Sequence, residues 1–298
     1  MTRQLQSLPD ELRCHPEVVA FFDAGTNTFS YVVKDPDSIA CAVVDSVMEI
    51  DYAAGRLGTG GADEIVAYIR QHELSLEWLI ETHVHADHLS ASPYIRDQLG
   101  GKIGIGEHIV TVQETFGKIF NAGSEFHRDG SQFDRLFADG ETYRVGEMTC
   151  LALHTPGHTP ACMTHVMGDA AFVGDTLFMP DGGTARADFP GGDARTLYRS
   201  IMKVLSLADD TRLFMCHDYP EGRAVAYETT VAAEKQHNIH VGAGVTENDF
   251  VAMREARDAT LNMPRLILPS LQVNMRAGRL PPPEDNGTVY LKLPLNVL

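Results

Sequence analysis

The segment "ETHVHADHLS", residues 81–90, sets His83, His85, Asp87 and His88 within six positions. Crowding such side chains is costly unless something binds them. Imidazole nitrogen with carboxylate oxygen is the ligand set of zinc and of non-haem iron. On a short strand, residues two apart point the same way, so His83 and His85 converge, and the loop that follows turns Asp87 and His88 inward. Three further segments carry the same ligand types. "LHTPGHT" holds His158 at 70 residues from His88, "FVGDTLF" holds Asp175 after another 17, and "FMCHDYP" holds His217 after another 42. A single histidine is more often a hydrogen-bonded structural residue; four segments offering one ligand chemistry imply a metal centre.

Ligands so far apart in the chain need a scaffold whose strand ends meet at one edge, where loops carry chemistry. "VVAFFDA", "TFSYVVKD" and "SIACAVVDSV" read as strands, β-branched and aromatic between turn residues. "GADEIVAYIRQHEL" places Ile65, Val66, Ile69 and Leu74 at near-helical spacing, with acids in its first turn. "EWLIETH" is a short strand delivering the histidine cluster into a loop, "SASPYIRDQLG" reads as helix and "GKIGIG" as strand. After a polar interlude at 121–140, "ETYRVGEMTCLALHTPGH", "CMTHVMGDAAFVGDTLF" and "TRLFMCHDY" supply strands that run into a histidine or aspartate. "ARTLYRSIMKVLSL" and "AVAYETTVAAEKQH" supply helices. Strands interleaved with helices imply layered α/β packing in one domain over residues 1–298. From about residue 259 the chain turns Pro-rich and apolar with neither period, which predicts an ordered tail over 259–298 packed on that domain, at a subunit contact. No internal repeat of solenoid length is present.

Composition narrows the function. At 298 residues, with 44% hydrophobic and 22% charged residues, the chain is long enough for a core without covalent staples. Its five cysteines, Cys14, Cys41, Cys150, Cys162 and Cys216, are scattered, odd in number and form no C-x-x-C pair, which points to a reducing compartment. The N-terminal stretch lacks the apolar core of a signal peptide, so a cytoplasmic enzyme is expected. A formal charge of −17 repels polyanions and excludes nucleic acid and anionic membrane as natural partners. An anionic small substrate must then be drawn in by a local positive centre such as a metal ion.

The series T-H-x-H-x-D-H, T-P-G-H-T, G-D and C-H-D-Y resembles the metallo-β-lactamase superfamily over residues 17 to about 237. The resemblance implies an α/β fold, an αββα sandwich with the metal site at one edge of the two sheets. Asp175, where some lactamases have cysteine, disfavours β-lactam hydrolysis. Two glutathione-handling groups remain, the glyoxalase II thioesterases and the persulfide (sulfur) dioxygenases. "THVHADH", "RADF", "TLYRSI", "CHDY", "PDGGTARADFPGGDA" and "LILPSLQVNMRAG" are similar to a bacterial branch of the dioxygenases. Glyoxalase II enzymes carry instead a helical C-terminal domain with basic residues, unlike this tail.

What the dioxygenase resemblance implies is one Fe(II) per chain, held by His83, His158 and Asp175 as a facial triad that leaves positions open. Glutathione persulfide and dioxygen would react there to sulfite and glutathione, as in sulfide detoxification; zinc has no redox chemistry for this. Arg186 in "RADF" and Tyr219 in "CHDY" correspond to glutathione-binding residues, with Thr159 a further contact. The cysteine often found before the "RTDF"-like motif of these enzymes is absent from "DGGTARADF". His85, Asp87, His88 and His217 are expected to orient the ligands and bound water through hydrogen bonds. The same four could hold a second metal, so the alternative is a glyoxalase II-like dinuclear thioester hydrolase. An isologous homodimer is the base-rate expectation.

Other signals read as structure. "RLGTGGADEIV" has Ile65 where a third phosphate-loop glycine would stand and is expected to be a loop before a helix. Ser200 and Lys203 match S-x-x-K inside a helical pattern and stand without supporting motifs. His108, His127, His154 and His165 are expected in packing or surface roles, and Cys216 as a buried, inert thiol.

Overall fold

The computed structural model describes residues 7–297. In chain order the first half comprises β1 (Glu17–Asp23), β2 (Thr28–Lys34), β3 (Ala40–Val44), β4 (Val47–Asp51), β5 (Arg56–Gly58), α1 (Gly60–Gln71), β6 (Ser75–Ile80), β7 (Leu89–Ser90), α2 (Ser92–Leu99), β8 (Lys102–Gly106), α3 (Ile109–Ile119) and β9 (Arg135–Phe137). The second half comprises β10 (Glu141–Val145), β11 (Met148–His154), β12 (Met163–Met167), β13 (Ala170–Phe172), α4 (Ala194–Val204), β14 (Arg212–Phe214), β15 (Glu228–Thr230), α5 (Val231–His237), α6 (Glu247–Asp258) and α7 (Ile267–Asn274).

Two six-stranded mixed sheets form, in the orders β1-β2-β3-β6-β8-β9 and β10-β11-β12-β13-β14-β15, with a small sheet β5-β4-β7 beside the first. The alternation of strand side chains explains the layering. Along β2, Phe29, Tyr31 and Val33 point into a core shared with Cys150, Ala152, Phe172 and Phe214 of the other sheet, whereas Val32 joins the core under α1, α2 and α3. Along β11, Leu151 and Leu153 face Leu197, Ile201 and Phe250 of α4 and α6. Strands buried on both faces sit between two helical layers, the αββα sandwich implied by the sequence motifs.

Several elements depart from the sequence reading, among them β9 inside the polar interlude and the unforeseen helix α6. Helix α3 has no counterpart there: Ile109, Val112 and Phe116 are buried on one face at helical spacing, but its valine, threonine and phenylalanine content is that of a strand. The expected helix over "AVAYETTVAAEKQH" begins with strand β15, because Glu228–Thr230 pair with β14 at the sheet edge. Thr230 then caps α5 through its side chain, accepting from Ala233 N. Within the expected irregular tail, Ile267–Asn274 form α7, nearly all buried; a helix buried all round shows no amphipathic period. Farther on, Lys292 pairs with Gln272 of α7 through both backbone groups, N to Oε1 at 2.7 Å and Nε2 to O at 2.9 Å.

Candidate metal centre

The ligand-bearing segments meet where the two sheets touch at one edge. Thr82, just past β6, accepts from Met163 N of β12, and Phe29 N of β2 donates to Cys216 O, just past β14. These cross-sheet bonds bring His83, Asp175 and His217 together. Two glycines permit the approach. Gly174, with φ 50°, lies where a Cβ would meet Thr82 Oγ1 at 2.6 Å, and Gly157, with φ 137°, lies where one would meet the Leu197 backbone at 2.3 Å. Only glycine lets the "TPGH" turn lie against α4 and present His158.

His83, His158 and Asp175 offer ligand atoms within 4.8 Å of one another, and so do His85, Asp87, His88 and His217. The carboxylate of Asp175 links the two groups: Oδ2 stands 3.5 Å from His158 Nε2 and 3.9 Å from His83 Nε2, and Oδ1 stands 3.3 Å from His217 Nε2. Asp87 lies 3.1 Å from His217 Nε2. His83 Nε2, His85 Nδ1, His88 Nε2, His217 Nε2 and Asp175 Oδ1 are buried without any hydrogen-bond partner. Such atoms are costly to leave unsatisfied unless a cation takes their lone pairs. The donor set therefore fits a metal ion, and the chain carries a His/Asp metal-binding site.

The opposite ring nitrogens are fixed by neighbours, as in metal sites generally. Nδ1 of His83 donates to Thr82 Oγ1 at 3.0 Å, and that hydroxyl donates to Asp45 Oδ2 at 2.8 Å. Nδ1 of His158 donates to the backbone carbonyl of Arg186 at 2.8 Å, and Nε2 of His85 donates to Asp45 Oδ1 at 3.0 Å. Burial first, and the neighbouring imidazole next, drives His83 and His85 well below the ordinary histidine value, so both stand neutral and ready to ligate. Burial also pulls at His217, but the carboxylates of Asp87 and Asp175 outweigh it and raise that group. Behind the site, burial pushes Glu81 up to about 8, with Asp45 adding to the effect; it accepts from Ser90 and Ser92.

A cavity of about 660 Å³ opens onto His158, Asp175 and Asp87, walled by Phe178, Phe189 and Tyr219. Tyr219 lies stacked 6.0 Å from His217 and is half exposed. Arg186 also lines this cavity, but its guanidinium is engaged: Nε and Nη2 donate to Asp188 at 2.6 and 2.7 Å, and Nη1 donates to Asn262 O at 2.7 Å. Thr159 lies elsewhere, on a small apolar cavity with Val84, Phe116 and Leu271, and its hydroxyl contacts Cys162 Sγ at 3.0 Å.

Other histidines lie apart from the centre. His165 contacts Tyr143 inside the sheet sandwich, and His108 stacks on His154. The buried Cys216 comes within 4.8 Å of Asp175 and His217, with its thiol pushed well up, by burial above all, so it stays protonated. Two residues that build the site carried no signal in the sequence. Asp45 lies inside the stretch read as a strand, "SIACAVVDSV", with no second ligand type beside it. Asn274 of α7 donates from Nδ2 to the carbonyls of His85 and His88 at 2.9 and 2.8 Å and accepts from Ser90 N at 2.8 Å.

Known proteins resemble the chain at several distances. The family model described as Metallo-beta-lactamase superfamily matches residues 24–217. A "Probable metallo-hydrolase" of Burkholderia pseudomallei is 59% identical, over 94% of this chain and 99% of that protein. "Glyoxylase B2" of Dictyostelium discoideum is 45% identical, over 95% and 98%. The human mitochondrial "Persulfide dioxygenase ETHE1" is 28% identical, over 86% and 87%. Three further relatives, 50–52% identical, are longer, and the chain spans 65% of their length. Among solved structures, that of ETHE1 from Myxococcus xanthus superposes with a TM-score of 0.70 at 28% identity, over 88% of this chain and all of that one.

Proposed function

The chain belongs to the metallo-beta-lactamase superfamily, and on that premise we propose that it is an Fe(II)-dependent glutathione persulfide dioxygenase with one iron per chain. The observation that carries this reading is the set His83, His158 and Asp175, two imidazoles and one carboxylate, with His158 and Asp175 on the wall of a cavity large enough for a tripeptide. The persulfide dioxygenase named among its relatives, at 28% identity, supports the chemistry. The overall change balances as glutathione persulfide, dioxygen and water giving sulfite and glutathione. The outer sulfur gives four electrons to dioxygen, water supplies the third oxygen, and the sulfur–sulfur bond breaks with the thiol leaving.

Bound iron would supply the redox exchange with dioxygen and open positions for the reactants. The chain supplies the rest. Asp45 through Thr82, and the Arg186 carbonyl, hold His83 and His158 with Nε2 turned to the centre. Phe178, Phe189 and Tyr219 form an aromatic wall against which the peptide packs, beside His158 and Asp175. Asp87 and His217 form a pair beside the cavity that can take a proton from the attacking water and pass it to the departing thiolate.

A second reading has its own observation. His85 Nδ1, His88 Nε2 and His217 Nε2 also lack partners, and with Asp87 they make a second ligand set, as a dinuclear thioester hydrolase requires. The names of the nearer relatives agree with it. Metal analysis of protein purified without chelator separates the two. About one iron per chain, with zinc-loaded protein inert toward persulfide, supports the dioxygenase; two metals per chain including zinc support the hydrolase.

A further inference from the structure

A protein of net charge −17 needs a free positive group wherever it holds an anionic tripeptide. Three arginines line the cavity above the metal ligands: Arg186, Arg254 and Arg257. Arg186 is spent on Asp188 and the Asn262 carbonyl. Arg254 is buried; Nε donates to Asp258 at 2.9 Å and Nη1 to the Thr184 carbonyl at 3.0 Å. Arg257 follows three residues later on α6, is exposed, and its guanidinium has no hydrogen-bond or ion-pair partner among the described residues.

The acids on the same wall sort in the same way. Asp87 and Asp175 belong to the metal centre. Asp181 is held by Arg223, whose Nε and Nη2 each donate to it at 2.7 Å. Glu221 is exposed and likewise has no partner among the described residues. Among the described residues, the mouth of the cavity thus presents one free cation and one free carboxylate.

We propose that Arg257 and Glu221 form the subsite for the α-amino acid end of the substrate, Arg257 taking its carboxylate and Glu221 its ammonium. A guanidinium matches a carboxylate with two parallel bonds. Recruiting Arg186 instead would break its paired bonds to Asp188. The inference rests on the glutathione part of the proposed function and is indifferent to what happens at the sulfur, since the γ-glutamyl end is remote from it.

Calorimetric titration of iron-loaded protein with glutathione, without oxygen, reads the subsite directly. Arg257→Ala should weaken binding about ten- to a hundredfold and flatten its salt dependence, with Arg257→Lys intermediate. Glu221→Gln should weaken it less. Glutathione esterified at its glycyl carboxylate should lose the same factor on Arg257→Ala, because the other carboxylate is the one held. In oxygen uptake with glutathione persulfide, KM should rise by a like factor with kcat changed far less. Wild-type affinity in Arg257→Ala, or an ester insensitive to it, overturns the inference while leaving the dioxygenase reading intact if oxygen uptake is normal. A wild-type protein that neither binds glutathione nor consumes oxygen overturns both.

Discussion

Asp45 reaches His83 through one hydroxyl: Oδ2 accepts from Thr82 Oγ1 at 2.8 Å, and that oxygen accepts from His83 Nδ1 at 3.0 Å. The same carboxylate takes His85 Nε2 at 3.0 Å and Thr82 N at 2.8 Å. One buried aspartate thus orients two imidazoles. Asp45→Asn keeps the shape but replaces an acceptor with a donor, so metal affinity should fall about 10- to 100-fold. Competition with a chromogenic chelator measures it; unchanged affinity would mean that the rings are held by packing alone.

Asn274 ties α7 to the histidine loop with three buried hydrogen bonds. Asn274→Ala leaves two carbonyls and an N–H without partners, so stability should drop by roughly 3 kcal/mol and metal retention should fall with it. Denaturant unfolding of the metal-free variant, with metal content measured alongside, checks both. A loss of stability with full metal retention would confine Asn274 to holding the tail.

Arg186 acts on the metal through its backbone, since its carbonyl is the partner of His158 Nδ1. Arg186→Ala keeps that carbonyl, so iron content should stay at the wild-type level. Its side chain is paired with Asp188, so KM for glutathione persulfide should rise less than in Arg257→Ala. Loss of iron in Arg186→Ala would show that the guanidinium, not the carbonyl, shapes the turn.

Glu234 is fully buried, with Oε2 accepting from Asn238 at 2.6 Å and Oε1 unpartnered; burial pushes its carboxyl up to about 8 from an ordinary 4.5. In that window the folded chain holds a proton that the unfolded chain has released, so stability falls as pH rises. The loss accumulated by pH 8 is of the order of 4 kcal/mol. Glu234→Gln cannot ionise and should melt at higher temperature than the wild type at pH 8, with the difference shrinking at pH 5. Parallel melting curves with pH would place the wild-type proton elsewhere.

Much of the architecture was legible because strand alternation and strand-end ligands are local patterns. The motifs around His83, His158, Asp175 and His217 each follow a strand or turn, and the sheets bring those ends to one edge. What escaped depends on contacts the chain makes at long range. Helix α3 is built from strand-favouring residues that a buried face overrides. Asn274 sits nearly 190 positions from the carbonyls it clamps. A lone Asp45 shows no spacing to anything. The charge on Arg186 looked available in the sequence because nothing there shows that Asp188, two residues on, turns back to pair with it.

Oxygen uptake by the iron-loaded protein with freshly prepared glutathione persulfide tests the central claim most directly, with sulfite and metal measured in the same samples. The account predicts one sulfite formed per dioxygen consumed, about one iron per chain, and loss of both activity and iron in Asp175→Ala. No oxygen uptake by protein that holds two metals per chain and hydrolyses a glutathione thioester would contradict it.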